Sequence, residues 1–390
     1  MRIFRKDFWT SFVLVSSPIL YLYGWGAFNF FIVFSLLLLV SNTLVKKELP
    51  LIFPKQYLCY VIYFTFISVL LNGFNNFHLG TLLSMILLAF YFESINYSSF
   101  IKVYRIVAGI NIIIFFLQFL SIINITGVLQ GLPISDAYYS SADVSYKLSV
   151  QRKSALFGEP AHFAQFLLPL IAFEVFNNYK KNWLRISIYI LTILLLSSGN
   201  GYIGLGVIAL FYFVKYPFKR TTSKVSTWLF SFGFICLLSY GFIQTELGAG
   251  IFERKEELNF NRGELSSGYI RIWRGYEIFS RLCPEAKIFG SSKRELTDAA
   301  NQGEWYDFLG NPEYMNTFQS FLCVSGILGT IIFAFFNYEL FRRNSDTGKT
   351  VVLLFTILSF MSSLYFSGIM LIYYVFSYVE KERYSNNLKT

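Results

Sequence analysis

Charge is scarce in this sequence: 14% of its 390 residues are charged, whereas 55% are hydrophobic and 20% are aromatic. Soluble domains carry about 25% charged residues, so this composition excludes an ordinary soluble globular protein. The net charge is +10, but the basic residues collect in loops between apolar runs, which argues against nucleic acid as a partner. The composition predicts an all-α polytopic membrane protein.

Residues that bind metal ions or attack substrates are also few. The chain has two histidines and four cysteines, and most of the cysteines lie inside apolar runs, so neither a disulfide framework nor a cysteine-rich metal site is expected. No HExxH, P-loop or GxSxG motif occurs, and the two long polar loops defined below contain no Asp-x-Asp. We therefore expect any chemistry here to need neither a metal ion nor a cofactor.

Apolar runs long enough to cross a bilayer recur along the whole chain. A spanning helix needs about 20 mostly apolar residues, and the sequence predicts about twelve of them. The last two form either separate helices, broken at Ser367-Gly368, or one long helix. The whole chain, residues 1–390, is then one integral membrane domain. The predicted spans are 8–23, 27–45, 56–72, 76–93, 100–122, 160–178, 184–198, 201–216, 226–244, 314–338, 349–365 and 367–379.

The basic residues predict how these spans are oriented, because Lys and Arg concentrate in cytoplasmic loops. With the N-terminus in the cytoplasm, alternate loops hold most of the 33 basic residues, while the short loops 24–26, 73–75 and 199–200 hold none. Both termini are therefore predicted to be cytoplasmic. The remaining basic residues lie in two extracytoplasmic loops, 123–159 and 245–313. Loops longer than about 12–15 residues are often functional.

The first of these loops runs into a helix through the stretch RKSALFGEPAHFAQFLLPL. Pro160 suits the first turn of a helix, which puts Glu159 at its cap and places His162 and Gln165 on one face. Helix N-termini attract anions, and Arg152 can bind two phosphate oxygens at once. The pattern fits a phosphate- or pyrophosphate-bearing ligand with Glu159 or His162 as general base. It also fits a capped helix whose histidine lies among lipid headgroups.

The second loop contains an amphipathic helix near 266–282. A helical wheel places its apolar residues on one side, namely Tyr269, Ile272, Trp273, Tyr276 and Phe279. Such a helix lies on the membrane or caps the bundle, and a basic face on it can hold an anionic headgroup or a diphosphate. The alternative is a surface helix whose basic face is simply solvated. The arginines that contribute to the external positive field are Arg254, Arg262, Arg271, Arg274 and Arg281.

Three stretches, in order, carry a family resemblance: RKSALFGEPAHFAQFLLP, LLLSSGNGYIGLGV and NPEYMNTFQSFLCVSGILGTIIF. They resemble the turn after an external loop, the serine-containing hairpin and the asparagine-led helix of the bacterial O-antigen and capsular polysaccharide polymerases (Wzy type), relatives of the O-antigen ligases. Two departures matter. Met315 stands where ligases carry histidine, and Ser198 is followed by Gly199 instead of arginine. The missing histidine favours a polymerase over a ligase.

The resemblance implies transfer of a growing glycan from undecaprenyl pyrophosphate to a lipid-linked oligosaccharide repeat unit, at the outer face of the bacterial plasma membrane. The partners it implies are that lipid-linked oligosaccharide, membrane lipids, a chain-length regulator and a flippase, and no nucleic acid. By its motifs the resemblance places Arg152, Glu159, Arg271 and Arg274 in the catalytic site and Asn316 at the helix entry, and it leaves the general base open between Glu159 and His162. From the charge pattern we add Arg254, Arg262 and Arg281 as substrate-binding residues, together with Asn316.

Three other functions compete with this one: an O-antigen ligase, a lipid-linked oligosaccharide flippase or other transporter, and a lipid-donor glycosyltransferase of the C type. Transporters place charged residues at mid-span. The span interiors here carry almost no charge, because Glu93, Arg105, Glu174 and Glu339 all lie near inner ends. The C-type enzymes resemble a fold with a large first external loop, whereas the first external loop here is 24–26.

Overall fold

The computed structural model describes residues 2–25, 28–68, 76–122, 153–176, 182–216, 267–302 and 315–387. Within these ranges the chain forms 15 helices and one two-stranded antiparallel hairpin in which Gly24 pairs with Asn29. The prediction of a helical fold is confirmed to this extent.

Helices overlap each predicted span that the structure describes, with differences: span 8–23 is divided into two helices, Arg2–Val15 and Ser17–Leu20, and span 56–72 forms a helix over Lys55–Phe66. Span 226–244 lies outside the described residues. The last two spans are separate helices joined by residues 360–367. The elements of the N-terminal half are α1 (Arg2–Val15), α2 (Ser17–Leu20), β1 (Gly24–Trp25), β2 (Phe28–Asn29), α3 (Phe30–Lys46), α4 (Lys55–Phe66), α5 (Asn76–Ser94) and α6 (Tyr97–Phe119). Those that follow are α7 (Pro160–Phe176), α8 (Trp183–Leu195), α9 (Gly199–Lys215), α10 (Ser267–Arg281), α11 (Pro284–Phe289), α12 (Lys293–Asn301), α13 (Thr317–Arg342), α14 (Asp346–Ser359) and α15 (Gly368–Asn387).

Among the described residues, α6 and α13 are long and apolar enough, by length and composition, to cross a bilayer. Shorter apolar helices accompany them, including α3, α7, α8 and α9. The outward face of α6 carries exposed Ile106, Ile110 and Ile113, which lie in one stripe because residues three and four apart are neighbours on a helix. Contiguous exposed apolar surface of this kind favours contact with lipid. The number of spans and their orientation stay predictions.

The centre of the bundle is formed by α15, because every residue from Ile369 to Phe376 is nearly inaccessible to solvent. A helix that is apolar on all sides is stable only when other helices surround it. Helix α7 packs beside α15, and the Tyr373 hydroxyl donates a hydrogen bond to the backbone carbonyl of Gln165 at 2.7 Å. These two helices place the residues of the first-loop stretch next to the C-terminal part of the chain.

Helix α13 is interrupted at Gly326, whose backbone leaves the helical region with φ 65° and ψ −178°. The rings of Phe321 and Phe333, on opposite sides of the interruption, stack with centroids 4.2 Å apart. In a straight helix their Cα atoms would be about 18 Å apart, so the two parts of α13 meet at a sharp bend. The longest uninterrupted helix in this predicted span is therefore its second part, residues 327–342.

Charged residues are paired between helices at one end of the bundle. Both Arg105 and Arg185 donate to the same Glu174 oxygen, with nitrogen–oxygen distances of 2.6 Å and 2.8 Å, and Glu174 is only 2% exposed. These contacts join α6, α7 and α8. Two further pairs join neighbouring helix ends: Lys46 with Glu93, and Lys215 with Asp346. This is the end that the positive-inside rule assigns to the cytoplasm.

Replacing Glu174 by alanine is expected to lower the free energy of unfolding by roughly 2–3 kcal/mol, because two arginines lose their shared carboxylate. The value lies at the low end of the usual penalty because both guanidinium groups are about one-third exposed. Thermal unfolding of the detergent-solubilised protein measures the change. Lys46→Ala, which removes an exposed pair, is the control and should have little effect. Equal shifts in the two variants would contradict the structural role of Glu174.

Candidate functional site

At the end of the bundle opposite the ion pairs, four separate parts of the chain meet at Ser362, in the segment between α14 and α15. The Ser362 hydroxyl oxygen accepts hydrogen bonds from Gln165 Nε2 at 2.8 Å and from Asn200 Nδ2 at 2.7 Å. Its backbone carbonyl accepts from the Thr317 backbone nitrogen at 2.8 Å and from Thr317 Oγ1 at 2.6 Å. We call Gln165, Asn200, Thr317 and Ser362 the Ser362 cluster. It joins the starts of α7, α9 and α13.

The start of α13 is built by a reciprocal cap. The Asn316 side-chain oxygen accepts from the Gln319 backbone nitrogen at 2.9 Å, and the Gln319 side-chain oxygen accepts from the Asn316 backbone nitrogen at 3.1 Å. This arrangement satisfies two N–H groups that a helix start otherwise leaves without partners. Asn316 Nδ2 also donates to the Phe360 carbonyl at 3.0 Å. The predicted helix start at Asn316 is therefore confirmed, while its role in substrate binding stays a prediction.

The Ser362 cluster is buried, and Gln165 is fully inaccessible to solvent. Among the described residues, the side-chain oxygen of Gln165 has no hydrogen-bond partner. A buried amide oxygen without a hydrogen-bond donor lowers the free energy of unfolding by about 1–3 kcal/mol. In native proteins such an oxygen usually accepts from a water or a ligand. The cluster therefore contains one buried acceptor that has no donor among the described residues.

Glu159 lies at the N-terminal cap of α7, and His162 lies on the first turn of that helix, three residues before Gln165. The helix begins at Pro160, and the Glu159 backbone carbonyl accepts from the His162 nitrogen at 3.1 Å, as the sequence predicts for a residue at the cap. The preceding segment is fixed to α6, because Gln118 donates to the Ala155 carbonyl at 3.1 Å and accepts from the Ala155 nitrogen at 2.9 Å. Both candidate bases are partly buried at the same end of the bundle as the cluster.

The arginine-bearing helix α10 packs against the first part of α13. Gln319 Nε2 donates to the Ile272 carbonyl at 2.6 Å, and Cys323 Sγ lies 3.6 Å from the Gly275 carbonyl oxygen. Arg274 is 3% exposed beside these contacts. Burial lowers the pKa of the Arg274 guanidinium from its usual value, and nearby Glu277 acts in the opposite direction. Arginine nevertheless stays protonated in proteins, so a positive charge is held where solvent screens it poorly.

The structure forms a helix, α10, where an amphipathic helix is predicted near 266–282. Arg274, which the helical wheel places on the basic side, is buried against the bundle, whereas Trp273 of the apolar side is 47% exposed. The reason is that α10 packs on α13 through the face that carries buried Ile278. Arg281 Nη1 donates to the Ala299 carbonyl of α12 at 3.2 Å.

Of the other predicted site residues, the structure describes only some. Arg271 belongs to α10, and Arg152, Arg254 and Arg262 lie outside the described residues. Convergence of the first-loop arginine with those of α10 therefore stays a prediction. Within the described ranges, no group of three or more His, Cys, Asp or Glu residues could hold a metal ion.

Sequence reasoning missed Ser362 and Asn200 as members of a site. Both are polar residues within or beside apolar runs, and buried polar residues in such runs usually serve a partner or a function. That signal was present in the Met-Ser-Ser stretch near the end of predicted span 349–365 and in the Ser-Gly-Asn around the short loop 199–200. Neither stretch shows from the sequence alone that the two residues meet.

Comparison of the chain with protein-family models, with curated proteins and with solved structures gives no match. The resemblance to the polysaccharide polymerases therefore depends on the three stretches quoted above. The structure adds one fact about them: residues from all three lie together around Ser362.

Ser362→Ala is expected to lower the free energy of unfolding by about 1–3 kcal/mol, because two buried amide groups lose their common acceptor. Thermal unfolding in detergent measures the change. Ser359→Ala is a matched control three residues earlier, at the end of α14, since the Ser359 hydroxyl donates within its own helix, to the Thr356 carbonyl. The role of Ser362 would be refuted if Ser359→Ala destabilised the protein as much.

Proposed function

We propose that this protein is a polysaccharide polymerase of the bacterial plasma membrane. It transfers a growing glycan from undecaprenyl pyrophosphate to a lipid-linked oligosaccharide repeat unit at the outer face. The observation that carries this proposal is the meeting, at one end of the bundle, of the three stretches that resemble the polymerase family. The same end holds the two candidate bases and, through Gln319, the helix that carries Arg274.

The proposed membrane arrangement follows the basic residues. About twelve helices cross the bilayer, both termini are cytoplasmic, and the end with the Glu174, Asp346 and Glu93 ion pairs faces the cytoplasm. The Ser362 cluster and α10 then face outward, towards the two extracytoplasmic loops, where a lipid-linked sugar is accessible.

In this proposal, arginines bind the donor's pyrophosphate and stabilise the charge that develops on it as it leaves. Arg274, Arg271 and Arg152 supply that charge, and a guanidinium in a poorly solvated place stabilises a developing anion more strongly than one in water. The bond from the anomeric carbon to the pyrophosphate oxygen breaks, and the oxygen keeps the electron pair. Undecaprenyl pyrophosphate is therefore both the carrier and the leaving group, and the reaction needs no nucleotide sugar.

The acceptor is a sugar hydroxyl of the second repeat unit. Its oxygen attacks the anomeric carbon from the side opposite the pyrophosphate, and its proton passes to Glu159 at the cap of α7 or to His162 on the first turn of that helix.

Two related functions give different products in the same assay. An O-antigen ligase would transfer one finished glycan to a different lipid acceptor and would not lengthen the donor chain. A flippase would move the lipid-linked oligosaccharide across the bilayer without joining repeat units. Purified protein in proteoliposomes with a synthetic undecaprenyl-pyrophosphate-linked repeat unit distinguishes the three, because only a polymerase yields a ladder of products.

Arg274→Lys is expected to reduce ladder formation by about tenfold or more, because lysine keeps the charge but cannot bind two phosphate oxygens in a planar fork. Gel electrophoresis of the released glycans measures chain length and yield. Arg294→Ala is the control, since the Arg294 side chain on α12 is 93% exposed and should not affect the products. Normal ladders from Arg274→Lys, together with normal ladders from Arg271→Ala and Arg152→Ala, would refute the pyrophosphate role of these arginines.

Ladder formation is expected to continue in the presence of a strong chelator, because the proposed catalysis uses arginines in place of a divalent cation. The measurement is the same assay with and without EDTA, followed by addition of excess Mg²⁺ or Mn²⁺. Loss of the ladder in EDTA and its recovery with added cation would show that the reaction depends on a metal ion.

A further inference from the structure

The interruption of α13 at Gly326 is filled by another part of the chain, the end of α11. A Cβ atom on Gly326 would overlap the Ile288 carbonyl oxygen, and one on Gly290 would overlap the Val324 carbonyl oxygen. Both glycines have positive φ, 65° and 103°, which glycine adopts without strain. The two backbones are therefore in direct contact, and the bend of α13 and the end of α11 fit each other.

The backbone carbonyls around the bend have protein partners. The Cys323 carbonyl accepts from the Ser291 backbone nitrogen at 3.0 Å and from Ser291 Oγ at 2.6 Å. The Tyr63 hydroxyl of α4 lies 2.9 Å from the Phe289 carbonyl oxygen and 3.0 Å from the Ser325 carbonyl oxygen. In hydrocarbon an irregular backbone is tolerated only where the protein itself satisfies its polar groups. The α11–α13 contact meets this condition.

Next to this polar contact the surface is apolar. Ile288 is 44% exposed and Phe289 is 39% exposed, and both adjoin the bend, directly after which come exposed Ile327 and Leu328. The exposed apolar surface continues along the second part of α13 with Ile331 and Phe335. The end of α11 therefore extends the apolar face of a helix that qualifies by composition as a membrane span.

The position of the bend along α13 indicates how deeply the end of α11 lies in a bilayer. From Gly326 to the basic end of α13 at Arg342 the helix rises about 24 Å, at 1.5 Å per residue. The hydrocarbon core of a bilayer is about 30 Å thick. If Arg342 lies at the cytoplasmic boundary, the bend and the end of α11 lie several ångströms inside the opposite boundary. The polar face of α12, with Arg294 and Asp298, is turned to solvent.

We propose that the end of α11, Ile288 and Phe289, is a lipid-contacting element that enters the outer leaflet, with the hydrocarbon chains of bilayer lipids against Ile288, Phe289, Ile327 and Leu328, while Glu285 and Lys287 lie on the side of α11 towards α10 and water. The inference depends on the membrane location proposed above and not on the reaction. It makes one part of the large extracytoplasmic loop a fixed component of the membrane domain, held through the bend of α13. Helix α10 and its arginines, two residues before α11, are thereby kept at the membrane surface.

Single cysteines test the proposal in the full-length protein, in a background where the four native cysteines are replaced. The test positions are Ile288→Cys and Phe289→Cys. Phe335→Cys on α13 is the lipid-facing control, and Arg294→Cys on α12 is the water-facing control. Each variant is reconstituted into liposomes, exposed to a membrane-impermeant maleimide, and separately labelled with a nitroxide whose relaxation by oxygen and by a water-soluble nickel complex is compared.

The expected result is that Ile288→Cys and Phe289→Cys react about tenfold more slowly than Arg294→Cys, because a thiolate is disfavoured in hydrocarbon. Their nitroxides should respond more to oxygen than to nickel, as at position 335. Nickel-accessible nitroxides at 288 and 289, with position 335 still protected, would overturn the lipid contact and leave the membrane location intact. Rapid reaction at all four positions would overturn the membrane location as well.

Discussion

The polar end of this bundle depends on one serine side chain with two amide donors. Ser362 Oγ accepts from Gln165 and Asn200, and the Ser362 carbonyl accepts from Thr317, so four chain segments share one point of attachment. In apolar surroundings such contacts are directional while the packing around them is not. The hydrogen bonds therefore determine which helix starts lie side by side, and the aromatic core around α15 fills the space that remains.

Most of the helices could be predicted, because the length and hydropathy of apolar runs are local properties of the sequence. The runs at 100–122 and 160–178 became α6 and α7 with small shifts at their ends. The interruption of α13 could not be predicted, since Cys-Val-Ser-Gly-Ile-Leu-Gly reads as an uninterrupted apolar helix. Its cause is the contact of Gly326 with Ile288, a residue in another part of the chain. Hydropathy carries no information about such a contact.

The candidate site was predictable where its residues start a helix. Pro160 and Asn316 carry start signals that act within one turn, and both lie where those signals indicate. The position of Arg274 was not predictable from a helical wheel, because the wheel ranks faces by polarity and cannot show which neighbour a face meets. Ser362 and Asn200 show only that they are polar residues within or beside apolar runs, and nothing local indicates that they meet. Only tertiary packing brings them within hydrogen-bonding distance.

The three residues around Glu174 have a consequence for how the chain enters a membrane. One carboxylate and two guanidinium groups carry a net positive charge, so burying this acid does not weaken the basic bias of that end. Glu174 and Arg185 are close in sequence, and Arg105 comes from the earlier helix α6, so one carboxylate joins three helix ends. In the proposed orientation, this ion cluster would also keep those three ends on the cytoplasmic side.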